Sequence, residues 1–465
     1  MRIFPHEYPD VPALRLVPEV VELRSCRVAG CHCPLATLPP TLYNVPRMAK
    51  SQVDVTQLIQ KDPAAWTAVL HRHLRDEGMD GAVVTAVTHH AINKVTGEPY
   101  NPHLLRYTLT LEGCSDPITC IGKRTTQNEA LFYRDLAPQL DIAPSCWFYD
   151  IQEQDSWVIL DDVPNHIPPQ KWCDEDAHEL MQQLSGLHAA FWDDASLQTR
   201  CDWLPHFVGK KRPYSWPQLR EQQARYFEEG PAAIISEHAL QHAGRLAPNF
   251  LQAANGLAVI RSLGGWPGIL GESHLAAAAD LLDDPVPMLL PLRDLPPTLL
   301  HGRVQNEHWR TTLFGDHRLL DWRDVRIGPG ILDLVSFIEQ FNVPHHSVLS
   351  RQANGRSRNG RSSSPLTEET LIDNYLLAMG DHLGSRFDAR VARQAIPAAR
   401  CLHVLLTWFP NFATWFAEMP NLYTWQKVNR LPDRDLIGTR FEAIVGYRSY
   451  LQDVFTRFLQ AYRAL

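Results

Sequence analysis

Apolar residues fall into β-branched runs over one early zone and recur at helical spacing over most of the remaining chain. The early runs are AVVTAVTHHAI (Ala82–Ile92), LLRYTLTLEG (Leu104–Gly113) and PITCIGK (Pro117–Lys123), separated by the turn-like VTGEPYNP and CSDP. They predict three consecutive antiparallel strands. A helical segment follows at NEALFYRDLAPQL (Asn128–Leu140), and CWFYDI and SWVILDDV predict two further strands around a turn at Gln152–Asp155. Ahead of the sheet, Asp62 caps a helix whose first turn accepts Pro63 and which Gly78 ends. Trp66, Val69, Leu70 and Leu74 share one face of it.

From Pro164 onward the pattern is mainly helical. DEDAHELMQQLSGLHAAFWDD (Asp174–Asp194) is a long helix whose acidic start favours its dipole. A short β-like patch covers Thr298–Val325, and helical spacing returns from Thr367 to Leu465. Two segments lack periodicity. Residues 1–52 hold PHEYPDVP, PLATLPPTLYNVP and a Cys26, Cys31, Cys33 cluster, and read as an extended arm. Residues 352–365, QANGRSRNGRSSSP, form a basic, low-complexity loop. The expected organisation is an arm (1–52), a β-rich lobe (53–163) and a helical lobe (164–465).

Composition narrows the class. The chain has 465 residues, 45% apolar and 21% charged, with a formal charge of −8. This globular mixture excludes collagen-like, disordered and disulfide-scaffold proteins, and the charge argues against a general nucleic-acid-coating surface. No stretch reaches the roughly 18 uninterrupted apolar residues of a membrane span. MRIFPHEYPD lacks the layout of a secretion signal, so a cytoplasmic location is expected. The C-x4-C-x-C spacing around His32 has no second pair to complete a zinc site, which favours free thiols.

Four stretches carry candidate chemistry. Lys123 ends the third strand, and Glu129 stands on the next helix in EALFY. WVILDDV (Trp157–Val163) ends a strand in Asp161 and Asp162. LSGLHAAFW (Leu184–Trp192) places Leu184, Leu187, His188 and Phe191 at core-packing spacing. TLLHGRVQNEHW (Thr298–Trp309) precedes LLDWRDVRIGPGILDLVSFI (Leu319–Ile338). In order and context these resemble the aminoglycoside phosphotransferase/choline kinase family, over about Ala82 to Ile338.

That resemblance implies a two-lobed, α+β, protein-kinase-like fold with its catalytic-type loop at 298–338. It implies ATP between the lobes and Mg²⁺ or Mn²⁺ as metal. Lys123 would hold nucleotide phosphates, Glu129 would aim Lys123, and Asp161 and Asp162 would mark the adenine-binding linker. His301 and Gly302 match the H-G-D-x-x-x-x-N loop, Asp321 the metal-binding Asp, and Asp333 an Asp that braces the loop. Two positions depart. The catalytic Asp falls on Arg303, whose pKa above about 12 bars it from accepting a proton. The metal-binding Asn falls on His308, a nitrogen ligand better suited to zinc or manganese than magnesium.

Three readings follow. One is a phosphotransferase for a small-molecule acceptor, with Arg303 clamping an anionic acceptor or Glu307 serving as base. Another is a pseudokinase that works through a protein partner docked on 1–52 or 352–365, with Arg303 paired to Asp321. The third is a kinase fold diverted to another transfer reaction. An aromatic set, Trp408, Phe409, Phe412, Trp415 and Phe416, is either core or a wall for an apolar or cationic ligand. No membrane or nucleic-acid partner is expected.

Overall fold

The computed structural model describes residues 53–73, 81–92, 104–163, 166–167, 172, 174–312, 317–341, 367–416, 419, 421–439 and 441–465. The arm with its three cysteines, Leu74, Gly78 and the basic loop at 352–365 lie outside the described residues.

The chain opens with α1 (Val55–Ile59) and α2 (Pro63–His73). Asp54 starts α1 with a capping box, its carboxylate accepting from the Thr56 N–H. Trp66 is fully buried on α2, and its indole N–H donates to the Leu58 carbonyl at 3.1 Å. Burying a side chain of this size contributes at least about 2–3 kcal/mol. Strands β1 (Val84–Ala91), β2 (Leu104–Leu111), β3 (Ile118–Thr125), β4 (Cys146–Asp150) and β5 (Ser156–Asp161) form one antiparallel sheet in the order β1-β2-β3-β5-β4. Helix α3 (Gln127–Asp135) follows β3.

Side-chain alternation gives the sheet two packed faces. Tyr107, Leu109, Cys120 and Ile159 pack with Trp66 and Leu70 of α2. Val158 and Leu160, one residue either side of Ile159, pack with Phe132 and Tyr133 of α3 and join the large core of the helical part. Gly122 sits where a Cβ would lie 2.5 Å from the Tyr107 ring.

The helical lobe begins with the two-residue β6 (His166–Ile167) and α4 (Asp174–Ala190). Next come α5 (Ala195–Arg200), α6 (Trp216–Glu229), α7 (Glu237–Ala243), α8 (Ala247–Ser262), α9 (Glu272–Asp283) and α10 (Val286–Arg293). The β-like patch resolves into β7 (Thr298–Leu300), β8 (Trp309–Thr312), β9 (His317–Leu319) and β10 (Arg326–Gly328). β7 pairs antiparallel with β10, which brings the two ends of the patch side by side. Helices α11 (Ile331–Phe341), α12 (Glu368–Leu383), α13 (Ala389–Gln394), α14 (Ile396–Trp415), α15 (Leu422–Arg430) and α16 (Glu442–Arg463) complete the chain. No helix among the described residues is long and apolar enough to cross a membrane.

Helix α14 is the centre of this lobe. Trp408, Phe409, Phe412 and Phe416 are buried, and their rings meet Trp266, Trp425, Tyr450 and Phe455. Of the two readings of these aromatics, core is the one that holds for Trp408, Phe409, Phe412 and Phe416, because the Trp266 segment, α15 and α16 close over them, while Trp415 is partly buried.

Candidate functional site

Lys123 stands on β3 opposite Val158, on the sheet face that meets α3. Thr126 caps α3, its hydroxyl accepting from the Glu129 N–H, so Glu129 falls in the first turn beneath the strand. The Lys123 ammonium lies 2.7 Å from Glu129 Oε2. Glu129 is fully buried, yet its carboxylate is saturated: it also accepts from the Thr125 hydroxyl and, at 3.0 Å, from the Trp322 backbone N–H. A buried carboxylate persists only with such partners.

The same Lys123 nitrogen lies 2.6 Å from Asp321 Oδ1. The chain turns at Asp321 through a left-handed backbone, φ 67°, and Trp322 then stacks on Phe132 of α3 with centroids 4.1 Å apart. Residues 198 positions apart, Lys123 and Asp321, thus share one cleft-side cluster.

Asp321 has a second cation. Arg323 Nε donates to Oδ1 at 2.7 Å and a terminal nitrogen donates to Oδ2 at 2.6 Å, a two-point fork. His308 Nε2 stands 3.4 Å from Oδ2. Burial works against the charged carboxylate, but Lys123 and the Arg323 fork outweigh it and hold Asp321 far below the usual carboxylate range. Burial, reinforced by His301, lowers His308 to about 3, so its ring is neutral near pH 7. Its Nδ1 faces the Arg303 carbonyl at 2.9 Å and donates to it.

Asp333 braces the loop. It is buried on α11 and accepts from the His301 N–H at 2.7 Å and the Gly302 N–H at 3.0 Å. His188 of α4 stands 3.5 Å from it and holds the Tyr375 hydroxyl at 2.7 Å through its other nitrogen. Gly330 makes room: a Cβ there would lie 2.5 Å from the Tyr375 oxygen and 2.6 Å from His188 Nδ1. The His301 ring is spent on structure too, with Nε2 donating to the Leu320 carbonyl at 2.9 Å and Nδ1 accepting the Arg303 N–H at 3.3 Å.

The structure gathers Lys123, Glu129, Asp321 and His308, and sets His301 directly behind them. Arg303 and Glu307 are exposed on the loop. The expected Arg303–Asp321 pair is corrected: the cations on Asp321 are Lys123 and Arg323, the latter two residues along the same turn, whereas Arg303 is exposed on the loop. Asp161 accepts from the Trp147 indole at 2.5 Å and faces His73, and Asp162 pairs with Arg106 at 2.6 Å. Both linker carboxylates are therefore engaged within the β lobe. Arg323 carried no motif signature; its only sequence signal was a cation two residues beyond the Asp.

A divalent ion does not fit this arrangement. Both Asp321 oxygens already accept from the Arg323 guanidinium and Oδ1 also from Lys123, and the oxygen-bearing Asn of the motif is the ring of His308.

No family model and no curated protein matches the chain. Among solved structures it is similar to choline kinase LicA from Streptococcus pneumoniae, at 11% identity and TM-score 0.37, covering 85% of this chain and 98% of that one. An ethanolamine kinase from Plasmodium vivax matches at 12% identity and TM-score 0.37, over 83% of this chain and 92% of that one. A spectinomycin phosphotransferase in complex with ADP and spectinomycin matches at 10% identity and TM-score 0.36, over 79% and 94%. The five-stranded antiparallel lobe and the larger helical lobe make this chain a two-lobed α+β protein, with Lys123, Glu129 and Asp321 clustered where the lobes meet.

Proposed function

We propose that this protein binds a nucleotide between its lobes without a divalent ion, and that its transfer of phosphate to hydroxyl acceptors has been lost: a pseudokinase on a small-molecule-kinase fold. The observation that carries this reading is the Arg323 fork on Asp321, with Arg303 in the loop position where a proton-accepting Asp would be needed. Lys123, aimed by Glu129, exchanges Asp321 for phosphate oxygens when nucleotide enters. Arg323 and Arg303 supply the compensating charge that a metal would otherwise bring. With His308 neutral, Lys123 and Arg323 balance Glu129 and Asp321, and the exposed Arg303 on the neighbouring loop remains to meet an anion. Nucleotide complexes are known for neighbours of this fold, including one with AMP and one with ADP.

The test is titration of the full chain with ATP and ADP in excess Mg²⁺ and again in a chelator. Equal affinity in both, with no ADP release over a pool of hydroxyl metabolites, is expected. Affinity at least about tenfold tighter with Mg²⁺, or acceptor-dependent turnover, overturns the reading.

A second reading rests on the exposed Arg303 side chain. A guanidinium there would clamp a carboxylate or phosphate acceptor, which needs no deprotonation before attack. ADP release that depends on a carboxylate pool but not a hydroxyl pool would select it.

A further inference from the structure

On the other side of the Asp321 turn lies a cavity of about 200 Å³. Its charged lining is three arginines, Arg245, Arg323 and Arg326, against one carboxylate, Asp324. Phe207 and Tyr214 provide its aromatic surface. Two of its lining residues are tied by backbone to the strand that follows Arg326: the Phe207 N–H donates to the Ile327 carbonyl at 2.8 Å, and the Ile327 N–H to the Pro205 carbonyl at 2.8 Å. Arg326 lies flat over the Phe207 ring at 3.6 Å and donates from one terminal nitrogen to the Gly302 carbonyl at 2.5 Å. Its Nε is buried and has no hydrogen-bond partner. The Arg245 side chain makes no hydrogen bond or ion pair among the described residues, although its backbone is anchored on the Gly209 carbonyl. A half-enclosed set of donors with unspent capacity and an excess of positive charge is what an anion requires.

We propose that this cavity binds a small oxyanion, a phosphate- or carboxylate-bearing metabolite, held by Arg245 and Arg326 and bordered by Arg323. The site is distinct from the Lys123 cluster and needs no nucleotide. Arg323 joins the two, because it lines the cavity and also holds Asp321. An oxyanion seated here competes with Asp321 for that guanidinium.

Calorimetric titration of the full chain with inorganic phosphate, and separately with acetate, tests this. Saturable binding of at least one probe in the millimolar range is expected. Phosphate alone binding identifies a phosphate site, and acetate alone a carboxylate site. Arg245→Gln is expected to weaken binding at least about tenfold, and Arg245→Lys, which keeps the charge but loses the fork, to weaken it less. Lys123→Met, which disables the nucleotide cluster, is expected to leave it unchanged. No saturable binding of either probe, equal binding by Arg245→Gln, or loss confined to Lys123→Met overturns the proposal. Failure of nucleotide binding with oxyanion binding intact would count against the pseudokinase reading alone.

Discussion

Arg323 occupies both carboxylate oxygens of Asp321 from a position two residues away, at 2.7 and 2.6 Å. The residue best placed to hold a metal is thus closed from within its own turn. Arg323→Ala should free one face of that carboxylate. In a thermal-shift experiment with ATP, Mg²⁺ should add a few degrees of stabilisation to this variant and nothing to the unmodified protein. A metal-dependent shift already present in the unmodified protein would contradict the closed carboxylate.

Asp333 is the brace of the loop. Asp333→Ala leaves the buried N–H groups of His301 and Gly302 without their acceptor and one ring nitrogen of His188 without the carboxylate it faces. The expected loss is about 3–5 kcal/mol, the usual cost of removing one member of a buried charged network. Denaturant unfolding would measure it. A loss below about 1 kcal/mol would mean that water or a shifted backbone replaces the carboxylate.

His308 gives a pH dependence of definite sign. Its ring takes a proton near 6.5 when unfolded but only near 3 in the fold, because burial disfavours the charge. Between those values the unfolded state binds more protons, so stability falls as pH drops from 6.5 towards 3, by at most about 1.4 kcal/mol per pH unit for this one group. His308→Asn should flatten the stability profile across that window and leave it unchanged above it. Urea midpoints measured across the window for both proteins decide the matter.

Gly256 on α8 faces the backbone of α14. A Cβ there would fall inside the Phe409 carbonyl. Alanine would gain up to about 1 kcal/mol in helix propensity, but overpacking typically costs about 1–3 kcal/mol, and here the obstacle is backbone that cannot rotate aside. Gly256→Ala should therefore lower the melting temperature despite being a better helix former.

Much of this structure was legible from local pattern. The β-branched runs found their strands, whereas the pairing of Lys123 with Glu129 was legible only through the family resemblance. The long-range meeting of Lys123 with Asp321 was legible only through the order of the motifs, since no local rule links residues on opposite lobes. Arg323 escaped notice because its role depends on a left-handed turn at Asp321 that curls the chain back on itself. The aromatic run on α14 looked the same as core and as ligand wall, because helical spacing says which face is apolar but not what covers it.

The turn at Asp321 also bears on how the lobes move. Its left-handed backbone presents the Trp322 N–H to Glu129 and lays the indole on Phe132, both on the helix of the other lobe. One amide hydrogen bond and one aromatic stack thus tie the Asp321 turn to that helix. Any shift of α3 is therefore passed directly to the backbone that carries the Asp321 carboxylate.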